Sequence, residues 1–308
     1  MGKRVADGRP DPDPVGSVLR RMKSLAIDSV GMGFRGSSRI RGRRPDWMRQ
    51  ASDVRFVGIS AGTNDSTLLH FNAPRFGDVA DEVYTQGQLF GGLPSESDTA
   101  FDVMGDIVTD IAKHRRDSDR FDIGVLQHLE RFKEPVFHHG VDDISIMGGR
   151  LSAEHPPRIN SALTDIATSL YQETPVPVRA RVMGHLDMIR ASDKVFSLIL
   201  NNGTKVRGIW LGATVAPLRQ HLDQDVIING MVTYRPSGGV LRIDAETVDT
   251  AASADRLFSK LPAPSGLTLR RTHLLQPQSA SLGMKAVFGQ WPGDETDEEV
   301  LRTLAEVE

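Results

Sequence analysis

The chain has no cysteine, which excludes a disulfide framework, a thiolate zinc site, an iron–sulfur cluster and a cysteine nucleophile. Aromatic residues are scarce, with 3 Trp, 3 Tyr and 12 Phe in 308 residues, so any surface that stacks on flat ligands must rest on a few rings. No apolar run approaches the length of a bilayer span, and the opening MGKRVADGRPDPDP lacks the apolar core of a signal peptide. A cytoplasmic protein with no membrane partner is expected. The GKS or GKT ending of a phosphate loop and the HExxH metal helix are missing, and the GxSxG string at Gly58, Ser60 and Gly62 falls in a predicted hairpin rather than at the strand-to-helix turn of a nucleophile elbow, which leaves catalysis without a motif to support it. No cofactor is implied.

Neither sign of charge dominates, with 37 basic and 40 acidic residues, but the distribution is uneven. Residues 1–50 hold twelve Lys or Arg against five Asp or Glu, and residues 292–308 hold seven acids against one Arg. Such ends suit attraction of nucleic acid at one and protein docking at the other, or mutual screening. The remainder is ordinary for a globular protein, at 39% apolar and 25% charged, with 29 Gly and 17 Pro for turns. The length allows one large domain or two, with room for a real core.

Apolar spacing divides the chain into a leader at 1–14, a mixed α/β domain at 15–175, a barrel at 176–250 and an extension at 251–308. In the second region, Val18, Leu19, Met22, Leu25 and Ala26 predict a helix over 17–28, and GMGFRGSSRIRGRRPDW reads as a basic loop. VRFVGIS and STLLHFN predict a hairpin. Phe76, Val79, Val83 and Phe90 predict one helix, and Phe101, Met104, Ile107, Val108 and Ile111 predict a stronger one over 99–114. Further helices are expected at 121–132 and 159–172, with a short strand at ISIM between them. The extension contains a strand candidate, LTLRRTHLLQ, and an acidic terminal helix with Thr296 as cap and Trp291 as a partner anchor.

The most regular segment runs from 178 to 248. Three strand candidates (VRARVMGHLDMI, KVFSLILN, TKVRGIWL) precede a short helix, VAPLRQHL, and two more strands, DVIINGMVTY and GVLRIDAETV, follow it. Three strands, a helix and two strands in that order resemble the oligonucleotide/oligosaccharide-binding (OB) fold. The fold class is therefore α+β: a mixed helical and strand N-terminal domain, a five-stranded OB-like barrel and a C-terminal helix.

The resemblance implies a surface able to hold single-stranded nucleic acid, with Phe196, Trp210 and Tyr234 as stacking candidates if they face outward. If Phe196 shares a face with Leu198 and Leu200, it is core instead. Arg179, Arg181, Arg207, Arg235 and Arg242 are the phosphate-binding candidates on the strands. Arg35, Arg39, Arg41, Arg43 and Arg44 form a basic arm within ten positions.

Three further patterns carry chemistry on paper. His138, His139, Asp142 and Asp143, with His155 or His185 added by folding, are the candidate metal ligands of a hydrolase, though adjacent side chains diverge. Asp98, Asp102, Asp106 and Asp110 recur every four residues and line one helical face, read as a wet surface or a dock for a basic partner. Gly31, Gly33 and Gly36 match GxGxxG without the strand and helix that a dinucleotide loop needs. The leading expectation is a non-enzymatic interaction, regulatory or adaptor protein with a protein partner. The alternatives are single-stranded nucleic-acid binding and a metal-dependent hydrolase.

Overall fold

The computed structural model describes residues 12–39, 43–62, 66–85, 92–133 and 141–264. Helix α1 spans Pro12–Arg35 and is longer at both ends than its amphipathic stripe predicts. The segment read as a basic loop is helix as far as Arg35, because Val30, Met32 and Phe34 are buried and hold it against the core. Packing here overrides the low helix propensity of glycine. Gly31 is needed where a Cβ would come within 2.5 Å of the Ser37 carbonyl oxygen. The helix ends at Gly36, whose φ of +72° is left-handed and whose N–H donates to the Met32 carbonyl over 2.9 Å. The three glycines are thus helix packing and helix termination, not a nucleotide loop.

Helix α2 (Asp46–Ala51) leads into the hairpin of β1 (Arg55–Ala61) and β2 (Thr67–Asn72), paired antiparallel as expected. The single helix predicted after Pro74 is two short ones, α3 (Phe76–Val79) and α4 (Asp81–Thr85), interrupted at Ala80; Phe90 lies outside the described residues. Helix α5 (Ala100–Ala112) starts with a capping box between Thr99 and Asp102. Helix α6 (Ile123–Glu130) starts at Asp122, whose side chain accepts from the Gly124 and Val125 N–H groups. Short strands β3 (Asp143–Ser145) and β4 (Arg158–Asn160) pair antiparallel, and α7 (Ser161–Glu173) follows with Asn160 as its cap. One apolar cluster unites these helices, with Phe34 edge-on to both Trp47 and Phe76 at 5.0 Å.

The barrel comprises β5 (Val178–Arg190), β6 (Val195–Ile199), β7 (Lys205–Trp210), α8 (Ala216–Gln220), β8 (Asp225–Tyr234) and β9 (Val240–Thr250). The strands close in the order β5-β6-β7-β9-β8, β7 pairs parallel with β9, and all other pairs are antiparallel. Closure removes the free edges that an open sheet would expose. It is an OB-like barrel, with the helix in the expected place between the third and fourth strands. Its interior is a second apolar cluster that includes Val182, Phe196, Leu198, Trp210, Ile228 and Tyr234. Tight packing explains Gly208: a Cβ there would lie inside the van der Waals envelope of the Phe196 ring. A 3-10 turn, Ser253–Phe258, lies beyond β9. The strand candidate at 267–276 and the acidic terminal helix fall outside the described residues.

Candidate functional site: the junction of helices and barrel

Alternation along β6 and β7 sorts their side chains. Phe196 and Leu198 point into the barrel, so Val195 and Ser197 point out, and the cross-strand register places Ile209 and Arg207 opposite them on that outer face. Register with β9 adds Asp244 and, two residues earlier, Arg242. In a free-standing OB barrel this is the face that holds an oligonucleotide. Here Val195 and Ser197 are fully buried, and Ile209 nearly so. The end of α1 and the turn that follows it reach this side of the barrel, where the Arg207 side chain lies against Gly36.

Buried arginines make that junction. Arg190 clasps Asp193 with two bonds of 2.9 and 2.7 Å and donates to the Phe34 carbonyl over 2.6 Å. Arg242 donates to the Gly36 carbonyl (3.0 Å), Asp122 (3.2 Å) and Asp244 (3.0 Å). Asp122 also accepts from the Ser38 N–H (3.1 Å) and hydroxyl (2.6 Å), so one carboxylate ties the turn after α1, the start of α6 and strand β9 together. Arg35 and Arg207 lie in the same cluster, where burial pulls both guanidinium pKa values down against the opposing pull of Asp193, with Asp244 near Arg35 and Asp119 near Arg207. The Arg35 Nε has no hydrogen-bond partner among the described residues. At the adjoining edge, Arg235 pairs with Asp119, and the Ser237 N–H donates to the Arg116 carbonyl over 3.3 Å.

Beside this junction opens a cavity of about 800 Å³. Its lining includes Asp106 and Asp110 of α5, the 115–120 loop, Arg150 and Arg207. The aspartate series of α5 is not the wet surface its spacing suggests: Asp98, Asp102 and Asp110 are buried. Each has a fixed partner. Arg150 bonds Asp98 (2.9 Å) and Asp106 (2.6 and 3.1 Å), and its own N–H donates to Asp102 over 2.9 Å. Asp110 is held by Arg115 (3.0 Å), Arg120 (3.2 Å) and the Ser118 hydroxyl (2.7 Å). Hydrogen bonds to Asp106 and Asp98 raise the Arg150 pKa against the opposing effect of burial. Arg150→Met should therefore cost about 1–3 kcal/mol by leaving buried carboxylate oxygens without donors. Urea unfolding measures it, and an unchanged midpoint would contradict that role.

The candidates read from the sequence separate into distinct groups. Phe196, Trp210 and Tyr234 offer no stacking surface, being 0%, 5% and 1% exposed in the barrel interior. Trp210 Nε1–H donates to the Thr214 carbonyl (2.7 Å) and the Tyr234 hydroxyl to the Pro262 carbonyl (3.2 Å), which satisfies their polar ends. Arg207, Arg242 and Arg235 do converge, but on the helical region of the same chain, and Arg35 meets the barrel from the end of α1. Arg179 pairs with Glu246, while Arg181 pairs with Asp255 (3.0 Å) and covers the Phe258 ring at 4.7 Å. Of the arm, Arg39 bonds Gln127, Arg43 pairs with Asp46 (3.4 Å), Arg44 is partly buried and Arg41 lies outside the described residues.

His138 and His139 are also outside the described residues. Asp143 pairs with Arg158, His185 with Asp223 and Asp225, and the described residues contain no group of three or more His, Asp or Glu placed to hold a metal ion. No described helix is long and apolar enough to cross a membrane. No family model, curated protein or solved structure matches the chain. Its function therefore rests on its own geometry. Sequence reasoning missed Asp122, Arg190 and Asp193. Asp122 carried one signal, an acidic cap before a helix; its link to Arg242 spans 120 residues.

Proposed function

We propose that this is a non-enzymatic interaction protein whose barrel serves as a scaffold for its own helical region and whose junction cleft receives a partner polypeptide. The observation that carries this reading is the burial of the outer β6–β7 face, with Arg190 bonded to the backbone of α1 and Arg242 to that of the turn after it. The cleft at the junction has the volume of a ligand site and a lining of interspersed guanidinium and carboxylate groups. Mixed charge suits a polypeptide segment carrying both signs. A phosphodiester strand would meet Asp98, Asp106, Asp110, Asp117 and Asp119 in the same cleft.

Two measurements test it. Fluorescence anisotropy with labelled single-stranded DNA and RNA should show no saturable binding at low salt. A photoreactive residue replacing Asp117 should give a discrete adduct with one polypeptide in cells, lost on Arg115→Gln, while the same residue at Arg179 gives none. Saturable single-strand binding that weakens with salt would replace this reading with the nucleic-acid one. Equal adducts from both positions would remove the cleft as the docking site.

A further inference from the structure

Helix α1 has two unlike faces. Val18, Met22, Leu25 and Ala26 enter the helical core, while Ser17, Arg20, Arg21, Ser24 and Asp28 recur at helical spacing along a flank. Helix α6 packs beside it and contributes His128 and, at its C-terminal cap, Arg131. Six of these side chains, Ser17, Arg20, Arg21, Ser24, His128 and Arg131, line a cavity of about 230 Å³.

The chemistry of this lining differs from that of the junction cleft. None of the six side chains is acidic; they supply three guanidinium groups, an imidazole and two hydroxyls. The neighbouring carboxylate, Asp28, is 6% exposed and bonds His128 at Nδ1. A buried carboxylate needs such a partner. By engaging Nδ1 it fixes the ring and leaves Nε2 as the nitrogen available to a ligand. Arg20 and Arg131 bring like charges to one small cavity, and a multiply charged anion between them lowers their repulsion. Guanidinium forks match the paired oxygens of a phosphoryl group. The volume lies below the roughly 300 Å³ from which pockets bury drug-sized ligands, so it suits a headgroup better than a base or a sugar.

We propose that the α1–α6 cleft binds the phosphate group of a small ligand, a phosphomonoester or a diphosphate, with Arg20 and Arg131 on its oxygens and His128 positioned by Asp28. The proposal is independent of the reading of the junction cleft, which has a different lining.

Isothermal titration of the full chain with sodium phosphate and sodium pyrophosphate, at constant ionic strength, tests it. Arg20→Gln and Arg131→Gln remove exposed side chains, and Arg43→Gln removes an exposed arginine outside the cleft. The expected result is saturable, one-to-one binding, tighter for pyrophosphate, weakened at least tenfold by either cleft substitution and unchanged by Arg43→Gln. Ser24→Ala should weaken it to a smaller degree, and thermal melts without ligand should match the parent for all four variants. No saturable heat from the parent chain, or equal weakening by Arg43→Gln, would overturn the proposal. Binding of a 5′-phosphorylated oligonucleotide without binding of pyrophosphate would overturn it in favour of a nucleic-acid end.

Discussion

Asp122→Ala should lower the free energy of unfolding by about 3–5 kcal/mol, the cost of breaking a buried ion pair by removing one partner. The Asp122 and Arg242 side chains are only 2% and 7% exposed, so water cannot readily replace the lost contact. The substitution also removes the cap on α6 and both acceptors for Ser38. Asp122→Asn keeps an acceptor for the cap and should lose less. Arg242→Met combined with Asp122→Ala should cost less than the sum of the single changes, because no buried guanidinium then remains with part of its pairing lost. Urea unfolding followed by circular dichroism reads these differences. A loss below about 1 kcal/mol for Asp122→Ala, no more than a cap alone supplies, would mean that the pair does not hold α1, α6 and β9 together.

Phe196→Ala should be similarly damaging, at about 3–5 kcal/mol, because it empties a ring-sized volume from a closed barrel. The neighbouring Gly208 supplies the complementary test. Gly208→Ala forces a methyl into the Phe196 ring and should cost about 1–3 kcal/mol as overpacking. Combining Gly208→Ala with Phe196→Leu makes room for that methyl, and the pair should be more stable than Gly208→Ala with Phe196 retained. If Phe196 instead lay on the surface, Phe196→Ala would leave the unfolding midpoint nearly unchanged. The same experiment therefore separates a core ring from a stacking ring.

The barrel was legible because each of its strands carries an apolar alternation bounded by turn residues, and those signals are local. All five strands and the intervening helix appear within a few residues of their predicted positions. The parity of each alternation was less legible. Phe196 is compatible with either side until pairing with β5 and β7 sets its register. Glycine misled at α1, where Gly31 and Gly33 look like loop residues but provide the close approach of Ser37 and Val103. The aspartate series of α5 misled for another reason. Its spacing correctly places the carboxylates on one face, but Arg150 comes from a segment 44 to 52 residues away, and no local pattern announces that partner.

The candidate sites divide along the same line. The basic character of α1 is visible in Arg20 and Arg21, but the cavity becomes basic only when α6 brings His128 and Arg131 beside them. The junction required more distant information still, since Arg242 meets Gly36 across 206 residues. By itself the sequence determined the absence of thiol chemistry, the α+β class, the strand succession of the barrel and the apolar stripes of its helices, all set by composition or by neighbours one or two turns apart. Only the tertiary structure decided which arginines are buried, which face of the barrel is covered and where acids and bases meet, because charge pairing and desolvation depend on contacts between segments remote in the chain.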